Sequence, residues 1–184
     1  MISEYEIGRF GVVMQAAFLA FAGACASFVV AVRRTVTTRA ARIGLTVLAL
    51  TVVGAAIGGL AVADPITTTK DQLTTHGNMH GLGAMLGIPL LPLGATLVTR
   101  ALTRRPEYAQ RSRTLWRLTA LNWASLAAMV VGMVLTSTVQ SGHFGPAIPI
   151  GWPNRLLMLS YAGWLIAAAR PRRRSIGAGK SAQV

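Results

Sequence analysis

Residues 74–100 read TTHGNMHGLGAMLGIPLLPLGATLVTR, and this stretch decides the kind of fold the chain adopts. Two histidines, His76 and His80, stand at its mouth. A nearly unbroken apolar run follows, as far as Arg100. Roughly 20 apolar residues are enough to cross the hydrocarbon layer as a helix. Residues four apart share one face of a helix, so a helix over about 76–98 places His76 and His80 together. Thr74 or Thr75 can cap it. Gly77, Gly81, Gly83 and Gly87 thin its first half, which lets neighbouring helices approach its backbone. Pro89 and Pro92 interrupt its hydrogen-bond ladder and predict a kink near its middle.

The rest of the chain repeats this pattern. Of its 184 residues 53% are hydrophobic and only 12% charged, against roughly 25% charged in a soluble domain. The charges fall in short blocks between long apolar runs. The expected fold is therefore all-α, a polytopic bundle of five transmembrane helices over about 10–32, 43–63, 76–98, 118–139 and 153–169. Residues 1–169 form a single transmembrane domain, and 170–184 a basic tail. Pro65 ends the second helix, and Gly54-x-x-x-Gly58 within it offers a flat packing face. Gln15 and Asn122 are polar members of the first and fourth helices.

Orientation follows from the basic residues. Segment 33–42, segment 99–117 and the region from 170 hold four, six and five of them, fifteen of the eighteen. The positive-inside rule places these segments in the cytoplasm and the N-terminus outside. The outer side then collects Asp64, Asp71, Arg155 and all three histidines, His76, His80 and His143. Two acids precede the first apolar run, Glu4 and Glu6. A secretory signal would start with basic residues, so the first run is expected to stay as a membrane helix.

The net charge of +13 does not signal nucleic acid, because the basic residues sit where topology places them and no nucleic-acid motif is present. Those near 170–174 can touch anionic lipid headgroups. Cys25 is the single cysteine, which excludes an intrachain disulfide or a thiolate metal site and reads as a small packing residue.

The outer cluster carries the candidate chemistry. His76 and His80 have the i, i+4 spacing of a zinc helix, with Asp64, Asp71 or His143 as a third ligand if the fold brings one close. The glutamate that follows the first histidine in a zinc protease is absent, and no metal site is assigned. Neither a phosphate loop, a dinucleotide fingerprint nor a matched haem pair is present, so no cofactor is expected. Without a metal, Asp64, His76 and His80 are the candidate catalytic residues, with His80 and Asp64 as a proton-handling pair. Arg155, as an anion anchor, is a candidate substrate-binding residue together with Asp71 and His143. The same groups could equally be a polar network that fixes helix packing, since ionisable groups in membranes need partners.

The order of these features resembles a bacterial membrane-protein family catalogued as a domain of unknown function, the 998 family. The features that carry the resemblance are Asp64-Pro65, the Thr-rich stretch after it, His76-Gly77-x-x-His80 and the proline-bearing apolar run. Gly151-x-x-x-Arg155-Leu156-Leu157 and Trp164 complete the match. Where the family often has an acid directly after the second histidine, this chain has Gly81. The resemblance implies a small multi-pass protein of the bacterial plasma membrane and favours Asp64, His76, His80 and Arg155 as one group. It supplies no activity, and whether the protein is an enzyme stays open. The leading expectation is an enzyme or binder that meets a lipid-like or isoprenoid molecule among the membrane lipids by acid–base chemistry. The alternatives are a small-solute or proton-coupled transport component, and a structural or assembly subunit. The sequence does not fix the oligomeric state.

Overall fold

The computed structural model describes residues 2–139 and 151–170. Among them are five α-helices and no strand: α1 (Gly11–Val32), α2 (Arg39–Leu60), α3 (Thr75–Leu102), α4 (Ser112–Val139) and α5 (Gly151–Ala168). Short 3₁₀ turns cover Ile2–Glu6, Lys70–Gln72 and Pro106–Arg111. By length and composition, α1, α2, α3 and the stretch Pro106–Thr136 can each cross a membrane. The fifth helix is shorter, at 18 residues. Most of the expected basic tail, and His143 with its loop, lie outside the described residues.

The helix ends follow local chemistry. Helix α2 starts at Arg39, ahead of the expected 43, because the Thr38 hydroxyl accepts the Ala41 N–H at 3.3 Å. It stops at Leu60, short of the expected 63, and Ala61 is already extended. That early stop leaves the Ala61 carbonyl and the Ala63 N–H without helical partners. Helix α3 starts at Thr75 with Thr74 as its cap, the Thr74 hydroxyl accepting the Gly77 N–H at 3.0 Å. Helix α4 starts at Ser112, ahead of the expected 118, because the turn Pro106–Arg111 runs straight into it. The arginines of its first two turns, Arg113 and Arg117, are exposed.

Helices α2 and α3 form the tightest pair, and glycine is the reason. A Cβ on Gly54 would lie 2.6 Å from the Gly83 carbonyl oxygen, and one on Gly83 would lie 2.7 Å from that of Gly54. Real Cβ atoms do not come so close, so the two backbones touch directly. Helix α1 lies against α2 and α4 against α5, while α5 meets α1 and α3 along little of its length.

Toward the arginine-rich end the core closes around Trp164, Leu91, Leu102, Leu115 and Val98, all fully buried. Its polar groups are bonded. The Trp164 indole N–H donates to the Thr99 hydroxyl at 2.8 Å, which meets the Thr119 hydroxyl at 3.0 Å. The Asn122 amide, turned as its neighbours require, donates to Ser160 Oγ at 2.8 Å. Both prolines of α3 lie inside a continuous helix. Pro92 has no N–H to give to the Ile88 carbonyl, and the Tyr161 hydroxyl donates to that carbonyl instead, at 2.5 Å.

Candidate functional site

The site is assembled by the turn at Ile2–Glu6, which folds back over the arginine-poor end of the bundle. Gly11 permits this: a Cβ there would collide with the Glu6 carbonyl oxygen. The fold-back buries Glu6 to 6% exposure. Its Oε2 accepts the Ala63 N–H at 3.0 Å, one of the backbone groups released by the early end of α2. The same oxygen stands 3.3 Å from Nδ1 of His80. Nδ1 also lies 2.8 Å from the Ala61 carbonyl oxygen. A carbonyl only accepts, so Nδ1 carries a hydrogen, and in the neutral ring Nε2 is the basic nitrogen. Phe18 packs edge-on against the imidazole, with ring centroids 6.0 Å apart.

Burial raises the Glu6 carboxyl above the usual carboxylate range, and the Ala63 N–H and His80 offset part of that rise. Its other oxygen, Oε1, is buried and has no hydrogen-bond partner among the described residues. The turn is tied to α5 at two points. The Ile2 N–H donates to Asn154 Oδ1 at 2.9 Å, and Arg155 Nη2 donates to the Tyr5 hydroxyl at 2.6 Å.

Beside His80 opens a cavity of about 310 Å³, lined by α1, α2, α3 and α5. Gly77, His80, Gly81, Ala84 and Ile88 line it from α3, a spacing that keeps to one helical face. At 1.5 Å per residue that face is roughly 16 Å long. The walls are mainly apolar, with Phe18, Phe21, Ala55 and Met158, and Thr51 and Tyr161 add polar groups. Ile2, Ser3, Glu4, Asp64, Ile66 and Thr68 belong to the lining near the N-terminal turn and the 61–74 connection.

The structure separates several residues that the sequence grouped. His80 is paired with Glu6, whereas Asp64 is engaged elsewhere. Asp64 Oδ2 accepts the Thr74 N–H at 2.7 Å and Oδ1 accepts the Thr74 hydroxyl at 2.9 Å. Gly77 is required beneath it, since a Cβ there would collide with the Asp64 carboxylate. Asp64 thus holds the start of α3, and it also lines the cavity. His76 is exposed, although it shares a helix with buried His80. Asp71 is exposed in the turn Lys70–Gln72, its carboxyl held below the usual range by the Thr69 hydroxyl and its own N–H. Arg155 lies over the rings of Tyr5 and Trp152, at 5.8 and 5.4 Å, and is not part of the cavity wall. His143 is outside the described residues. Among the described residues, no three His, Cys, Asp or Glu side chains gather as a metal would need.

A family model described as "Protein of unknown function (DUF998)" matches residues 1–171. The chain belongs to this family. No curated protein and no solved structure matches it. The DUF998 match takes in the N-terminal turn and all five helices, so both members of the His80–Glu6 pair lie within the family region.

Sequence reasoning missed Glu6, Asn154 and Tyr161 as parts of the candidate site of this DUF998 member. Glu6 had one usable signal, an acid just before a membrane helix on the histidine side. Its distance from His80 along the chain hid the pairing.

Proposed function

We propose that this integral membrane protein binds a lipid-like molecule, its chain in the α1–α2–α3–α5 cavity and its polar end at His80. The observation that carries this reading is the apolar cavity that follows one face of α3 and has the His80–Glu6 pair at its polar end. A mainly apolar pocket with a few convergent polar groups is the usual form of a small-molecule site. His80 Nε2 is the nitrogen able to exchange a proton with a bound headgroup, and Glu6 stands behind the ring to balance its charge. The positive-inside rule, applied to the basic segments, supports a reading in which the Glu6–His80 end faces outward from a bacterial plasma membrane.

A proton-transport role finds less support. Away from the pair, the buried polar groups of the helical core are Thr51, Thr99, Thr119, Asn122, Ser125, Thr136, Asn154 and Ser160 among the described residues. None of these side chains titrates near neutral pH.

Gly81 provides the test. It lines the cavity, and a Cβ on it would meet nothing within 4 Å. Gly81→Leu therefore adds bulk at the cavity lining from a position whose Cβ strains no helix contact. Native mass spectrometry of protein released from nanodiscs should show a lipid-like adduct on the wild type and lose it in Gly81→Leu. A clean, unliganded mass for the wild type would overturn the reading.

A further inference from the structure

A second hollow lies toward the arginine-rich end of the bundle, away from His80. It is a groove of about 450 Å³ between α1 and α5, with Tyr108 in its wall. Phe28 and Leu165 line it as buried residues, while Ala24, Ser27, Ala31 and Ile166 line it as exposed ones. In a bundle that spans a membrane, such a groove opens sideways to the hydrocarbon. From Ala24 to Val32 α1 rises roughly 12 Å, close to the depth of about 15 Å that one leaflet's hydrocarbon has.

The mouth of the groove lies where α1 and α5 end. Arg33 and Arg34 stand between the lining residues Val32 and Thr35, and Arg170 directly follows the lining residue Ala169. All three arginines are exposed. Carbonyls at these helix ends are already bonded. The Thr35 hydroxyl donates to the Val32 carbonyl at 2.7 Å, and the Tyr108 hydroxyl to that of Ala168 at 3.0 Å. Four of the five acids, Glu4, Glu6, Asp64 and Asp71, belong to the N-terminal turn and the 61–74 connection. The fifth, Glu107, accepts from Arg105 at 3.1 Å. What the mouth offers a ligand is therefore positive charge.

We propose that this groove holds one glycerophospholipid with an anionic headgroup, drawn from the leaflet at the arginine-rich end. An acyl chain lies against Phe28 and Leu165, and the headgroup meets Arg33, Arg34 and Arg170. The site is separate from the His80 cavity and does not rest on the reading given to it.

Phosphatidylglycerol and phosphatidylcholine with identical oleoyl chains are the probes. The full chain is placed in nanodiscs of an equimolar mixture, and the lipid it retains is read by native mass spectrometry. Phosphatidylglycerol should be retained in preference. Arg33→Gln/Arg34→Gln should lower that preference at least about fivefold, the scale of one arginine at an anionic surface. Arg39→Gln/Arg42→Gln removes the same charge from α2, off the groove lining, and should leave the preference intact. Ala31→Leu, which adds bulk at an exposed lining position, should abolish the preferential retention, whereas Gly81→Leu in the His80 cavity should not. Equal retention of the two lipids would overturn the headgroup assignment. Equal losses in the two double variants would reduce it to general charge attraction. Undiminished retention in Ala31→Leu, loss in Gly81→Leu, or a lipid-free dimer would overturn the groove as the site.

Discussion

At the scale of single residues, Glu6 concentrates the most chemistry in the fewest atoms. Its carboxyl is raised by burial, so the folded state holds its proton to higher pH than the unfolded chain does. The stability linked to this group is complete below its ordinary value of 4.5 and is lost as pH rises through the raised folded value. Docking of the N-terminal turn should therefore weaken on going from acid toward neutral pH. Glu6→Gln keeps the shape and removes the titration. Hydrogen exchange at residues 2–6 should show protection that falls with rising pH in the wild type and stays flat in the variant. A wild type with pH-independent protection would refute the linkage. Asp64 teaches a related lesson. From the sequence it reads as a proton partner for His80, because both mark the same end of the bundle. The fold gives its two oxygens to Thr74, because α3 has orphan N–H groups at its start that an acid satisfies cheaply.

At the scale of elements, α3 shows how a helix tolerates proline in mid-membrane. The Ile88 carbonyl released by Pro92 is bonded by the Tyr161 hydroxyl, which also joins α3 to α5 beside the cavity. Tyr161→Phe should cost about 1 kcal/mol of unfolding free energy in bilayer mimics. The cost should shrink in a Pro92→Ala background, where the restored N–H occupies the same carbonyl. A double-mutant cycle by steric trapping measures this, and strictly additive costs would disprove the exchange of partners. Five helices and a flat glycine face on α2 were legible in the sequence, because apolar run length and Gly54-x-x-x-Gly58 act locally, whereas that α3 packs there through Gly83 was not. The helix starts were less so. Thr38 and the turn at Pro106 extend α2 and α4 into arginine-bearing segments, where the expectation followed hydropathy alone.

At the scale of the whole molecule, the two ends of the bundle differ in charge. The expected orientation puts Lys70 outside and Arg104 in the cytoplasm. With buried Cys25 replaced by Ser, cysteines introduced at Lys70 and at Arg104 should react oppositely with an impermeant maleimide in intact cells. Labelling at Arg104 alone would reverse the orientation. The site itself was only partly legible at this scale. His80 was visible as one of two histidines at the mouth of an apolar helix, and only the fold shows which of them is buried. Its partner Glu6 lies 74 positions earlier (80 − 6) and reaches it through the fold-back at Gly11, and no local pattern encodes a contact of that separation.

The bonds from Ile2 to Asn154 and from Tyr5 to Arg155 join residues separated by 152 and 150 positions. During synthesis the first residues reach the membrane long before the closing helix exists. The tie between the N-terminal turn and α5 must then be among the last contacts of the protein to form. Until α5 is inserted, the wall that Asn154, Met158 and Tyr161 give the cavity is missing, and the space beside His80 lies open to the surrounding bilayer on that side.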